Sequence, residues 1–192
     1  MNDMNKQFET MGAQLAAGAP TSYSHAQSDV IRDECQSLLR QIPEGQRLLE
    51  FLKTDSCDIK ILNGKKVDWK SAPDAKIAYL FCPVPTKAIG LEEITLGYAI
   101  AARELEQPKH GIYQPNPNHP PEMAFQTMVE YFLDINIEMS KIVAEFAARD
   151  PNTKFLDLIT KLGQNEFYSE YISGKNKEEL REILKRTLIN ND

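Results

Sequence analysis

Cysteine and histidine, the residues that staple small folds and ligate soft metals, are rare here: three of each in 192 residues, beside a single tryptophan. Cys35, Cys57 and Cys82 form no CxxC pair and have no histidine nearby, which argues against a disulfide framework and a zinc knuckle and leaves buried free thiols. No apolar run approaches the roughly 18 residues that a membrane span needs, so no membrane insertion is expected. The charged, apolar and cleavage regions of a signal peptide are missing too, and the expected location is the cytoplasm, or export as an effector without a cleavable signal. Lys and Arg number 22 against 28 Asp and Glu, a formal charge of -6. Clustered cations are what hold a phosphate backbone, and the only basic patches are Lys65-Lys66 and the segment Lys175 to Lys177, so nucleic acid is excluded as a main partner. GxSxG, Walker, GxGxxG and catalytic Cys-His patterns are all absent, and no cofactor is expected.

With 42% hydrophobic residues, the chain can bury a core without disulfide or metal support. Residues 1–26, small and polar and without a sustained apolar period, read as a flexible tail, and 27–192 as one domain. Ser28 is the expected cap of a first helix, ending before Pro43, and Gly45 to Thr54 forms a second. Cys57–Leu62, the pair Asn63-Gly64 and Lys65–Trp69 predict a tight hairpin. Lys76–Cys82 adds a third strand, completing an antiparallel sheet. Helices follow at Leu91–Gln107, from Pro121 to about Arg149, at Thr153–Leu162 and at Lys177–Leu188, with a proline-rich loop at Gln107–Pro120. Gly163 and Gly174 punctuate the end of the chain. The expected fold is α+β: a predominantly helical body with a small antiparallel sheet of about three strands.

Three groups of residues could carry chemistry. Arg103-Glu104-Leu105-Glu106-Gln107 has the spacing of an HExxH helix, in which histidines at i and i+4 bind zinc and the glutamate activates water, but neither outer residue is a zinc ligand. Glu130, Asp134 and Glu138 line one face of the longest helix, continued by Lys141 and Glu145. Without Glu-x-x-His pairs they read as a solvated polar face opposite Phe125, Met128, Val129, Phe132 and Phe146. His110 and His119, in the proline-rich loop, lack an obvious third ligand and read as exposed.

The order of three segments resembles bacterial metallopeptidase domains of the gluzincin, zincin-like type. Ile42-Pro-Glu-Gly-Gln-Arg-Leu-Leu-Glu-Phe-Leu52 is similar to their opening helix, Ala101-Ala-Arg-Glu-Leu-Glu-Gln107 to their "AHELRHAxQ" stretch, and Met128-Val-Glu-Tyr-Phe-Leu-Asp134 to their "EADA" helix. About half the chain takes part. The resemblance puts Arg103 and Gln107 at the two histidine positions, Glu104 at the general base, and Glu130, or less well Asp134, at the third ligand. A guanidinium cannot replace a zinc ligand, because it brings a cation to the place of another cation. The resemblance therefore implies a site without metal, in which Arg103 pairs with Glu130 or Glu104. It implies a non-catalytic protein, an effector or accessory factor, that binds a protein partner. The competing expectation is a metal-dependent hydrolase that uses Glu104 with Glu130, Asp134 and His110 or His119.

Overall fold

Ser24 begins the first helix: its side chain accepts the Gln27 N–H while the Gln27 side chain accepts the Ser24 N–H, a reciprocal cap that places the start ahead of the expected Ser28. The computed structural model describes residues 23–85, 90–116 and 118–190. Of the expected tail, 1–22 lies outside the described residues. Tyr23 and Ser24 belong to the fold, the Tyr23 hydroxyl donating to the Cys82 carbonyl at 2.6 Å. The helix α1, His25–Leu39, turns directly into α2, Pro43–Thr54. Proline is accommodated at the first position of α2 because its missing N–H would have no intrahelical partner there. Gly45 makes the corner possible, since a Cβ at that position would stand 2.1 Å from the Leu39 carbonyl oxygen.

Three strands follow, β1 Asp58–Asn63, β2 Asp68–Ala72 and β3 Ile77–Cys82, in the order β1-β3-β2. The expected hairpin does not form and the sheet is mixed rather than antiparallel: β3 lies between the other two, parallel to β1 and antiparallel to β2. Neither Asn63 nor Gly64 adopts the positive φ that a type I′ turn requires. Instead Gly64 carries the chain across the end of β3, its N–H donating to the Cys82 carbonyl at 2.9 Å. The fully apolar β3 takes the middle, where Ala78, Leu80 and Cys82 are buried. The turn from β2 into β3 is a short 3-10 segment, Pro73–Ala75, closed by Lys76 in the left-handed region at φ 55.

The remaining helices are α3 Leu91–Glu106, α4 Pro121–Arg149, α5 Lys154–Lys161, α6 Asn165–Ile172 and α7 Lys177–Asn190. Positive φ at Gly163 and Gly174 closes α5 and α6. Helix α3 lies on the sheet at Gly97, where an added Cβ would come within 2.7 Å of Val67. The long α4 contacts α2, α3, α5, α6 and α7. That enclosure explains a second difference from the sequence reading. The middle of the acidic stripe of α4 is not solvated: Asp134 and Glu138 are buried and Glu130 only partly exposed, whereas Phe132, expected on the apolar face, is 38% exposed. Among the described residues no helix is long and apolar enough to cross a membrane.

Candidate functional site

The centre of the molecule, where α2, α3 and α4 meet, holds charge. Arg103 on α3 donates from Nε to Asp134 Oδ2 at 2.9 Å and from Nη2 to Asp134 Oδ1 at 2.6 Å, a two-pronged pair across to α4. Gln107, one helical turn on and 1% exposed, donates from Nε2 to the same Asp134 Oδ2 at 3.0 Å and to the Tyr131 carbonyl at 3.2 Å. The residues at i and i+4 of α3 thus converge on one carboxylate of α4. That carboxylate is Asp134. Glu130 turns away toward α7, where Arg181 Nε donates to it at 2.5 Å and Lys177 lies 3.6 Å off. The expected pairing of Arg103 with Glu130 or Glu104 is therefore replaced by pairing with Asp134 and Glu106, because both of those lie within reach of the one guanidinium.

Glu106 joins this pair to α2. It accepts from Arg103 Nη1 at 2.5 Å through one oxygen and from Arg47 Nη1 at 2.5 Å through the other. Arg47 Nε also donates to Glu44, whose second oxygen meets Lys141 of α4. The N-terminus of α2 has no cap of its own, since Ile42 offers no acceptor; Glu145 of α4 takes the Glu44 N–H at 2.9 Å in its place. Glu138 is 6% exposed, and its Oε1 makes no hydrogen bond. Arg47 Nη2 stands 3.6 Å from its Oε1, and Arg103 Nε, which donates to Asp134, stands 3.8 Å from its Oε2.

Glu104 belongs to a separate neighbourhood on the sheet side of α3. Its Oε1 accepts from Trp69 Nε1 at 2.9 Å and from the Tyr131 hydroxyl, and its Oε2 from the Ser71 hydroxyl at 2.6 Å. Gln114 Nε2 in turn donates to the Ser71 Oγ at 2.7 Å, which fastens the proline-rich loop to β2. Burial first, and then the Glu104 charge, push the Tyr131 phenol far above its ordinary value, so that it stays a donor. A general base needs a free lone pair directed at a substrate or a water. Here both oxygens of Glu104, 6% exposed, are taken by protein donors.

His110 lies at the end of the 3-10 turn Gln107–His110, half exposed and 3.9 Å from Glu106, and His119 is exposed ahead of α4. Among the described residues no group of three or more His, Cys, Asp or Glu side chains is placed to hold a metal ion. Sequence reasoning missed Glu44, Arg47, Glu106, Trp69, Ser71 and Tyr131. The one usable signal was the i, i+3 spacing of Arg103 with Glu106 and of Glu44 with Arg47. The partners on the sheet became visible only with the fold. Set beside known protein families, curated proteins and solved structures, the chain matches none.

Proposed function

We propose that this chain is a non-catalytic, protein-binding module on a zincin-like scaffold, with an ion pair standing where a metallopeptidase would hold its metal. The observation that carries the reading is the convergence of Arg103 and Gln107 on Asp134. The resemblance places two histidines at Arg103 and Gln107 and the third ligand at Glu130 or, less well, at Asp134; it is Asp134 that a guanidinium-carboxylate bond joins to Arg103 here. The enclosure of Glu104 by Trp69, Ser71 and Tyr131 supports the same reading, since both of its oxygens already accept from protein donors.

The experiment restores the missing ligands. An Arg103→His, Gln107→His double variant should bind about one zinc ion per chain, by elemental analysis after gel filtration, and melt at a lower temperature once chelator is added. The unaltered protein should show neither effect. A folded double variant that takes up no zinc would remove the zincin-like reading, because the three positions would then lack the geometry of a ligand set. The binding role has its own check. Affinity capture from the native host, with the full chain and with a chain lacking residues 1–22, should recover the same specific protein partner with at least one of the two. Recovery of none by either would count against recognition as the function.

A further inference from the structure

Around Glu138 the charges do not balance. From α2 it faces Glu44 and Arg47, and from α3 Arg103 and Glu106; Asp134, Lys141 and Glu145 belong to its own helix, and Tyr171 approaches from α6. His110, half exposed, reaches only Glu106. Glu44, Glu106, Asp134 and Glu138 are buried acids, opposed by Arg47, Arg103 and Lys141, so full ionisation leaves a surplus negative charge in the interior. Glu145 adds to it, although its carboxylate is engaged at the start of α2. The surplus falls on Glu138, because the other three acids accept short bonds from cations while its own contacts with Arg47 and Arg103 exceed hydrogen-bond length. Its Oε1 has no hydrogen-bond partner among the described residues, and its carboxyl adjoins that of Glu44. Two carboxylates have only acceptors to offer one another, whereas a proton on one turns repulsion into an O–H···O bond.

We infer that Glu138 carries a proton at neutral pH and donates it to Glu44, making the packing of α2 against α4 a proton-dependent joint that weakens as the solution turns alkaline. The pKa directions agree with the geometry. Burial, and then the neighbouring Glu44, push Glu138 up to about 8, against the attraction of Arg103 and Arg47. Burial opposes ionisation of Glu44 too, but Lys141, Glu138 and Arg47 outweigh it and hold its carboxyl below the usual range.

The sign follows from linkage. Glu138, raised in the folded state, contributes stability that is fully present below its unfolded value and lost as pH rises through about 8. Glu44, lowered, contributes stability present above its unfolded value and lost in acid. Glu138→Gln keeps the shape and supplies a permanent donor to Glu44. Denaturant midpoints of the unaltered protein should therefore fall relative to those of Glu138→Gln between about pH 5 and pH 8, and run parallel above that. Carbon NMR of the glutamate carboxyls in the unaltered protein gives a second reading that requires no variant. The Glu138 resonance should remain that of a neutral acid at pH 7 and titrate near the alkaline end. A Glu138 carboxyl that ionises with the ordinary glutamates would overturn the inference, as would midpoints of the two proteins that run parallel throughout.

Discussion

Replacing Arg103 with Met should lower stability by roughly 3–5 kcal/mol, the penalty for breaking a buried ion pair from one side. Asp134 would keep only the neutral Gln107, and Glu106 would keep Arg47 but lose its second cation. The pair is buried on both sides, Arg103 being 13% and Asp134 11% exposed along their side chains, so solvent screening cannot rescue the stranded carboxylate. Urea unfolding monitored by the fluorescence of Trp69 is the direct measurement. The double variant Arg103→Met, Asp134→Leu removes both charges and should regain much of the loss, because apolar residues of similar volume often replace a buried pair without net cost. A single variant close to the unaltered protein in stability would mean that Asp134 is solvated, contrary to the geometry.

Glu104→Ala should be comparably severe, also roughly 3–5 kcal/mol, for a different reason: stranded donors at about 1–3 kcal/mol each, plus a cavity. Trp69 Nε1 has no other acceptor among the described residues, and the Tyr131 hydroxyl would face an empty space in the interior. Ser71 would retain Gln114. Glu104→Gln should cost less, because its amide oxygen still accepts from Trp69 and the Tyr131 hydroxyl while the Ser71 hydroxyl can rotate to accept from its NH₂ group. The ordering Ala worse than Gln, measured by thermal melting, separates a structural anchor from a residue kept for proton transfer. A base with no structural part would leave both variants as stable as the parent.

Helical periodicity located most of the fold. Pro121 to Arg149 was legible because a proline sits at its first position and a sustained apolar pattern follows. The short α6 was not, since Phe167 is its one buried residue and eight residues give the period little to repeat. The sheet's composition was legible and its topology was not: Asn-Gly is a local signal, whereas the central place of β3 comes from burying Ala78, Leu80 and Cys82 between two partners. At the site, the spacing of Arg103 and Gln107 correctly implied one shared face. The choice of Asp134 over Glu130 depends on how α4 is rotated against α3, and only packing fixes that. The acidic stripe of α4 was misread for the same reason: a polar face is solvated by default, but not when α2 closes over it with Arg47.

The place of β3 has a further consequence, for the order in which the sheet can form. Among the described residues β1 and β2 pair only with β3, which is the last of the three to be made. Until residue 82 has emerged, both outer strands lack their proper partner, and the Asn63-Gly64 turn invites them to pair with each other instead. Such a hairpin is a competitor of the native sheet and not a step toward it, since β3 must enter between its two arms. The nascent sheet is thus built from the inside last, and the weakness of a lone two-stranded hairpin in water is what keeps that gap open for β3.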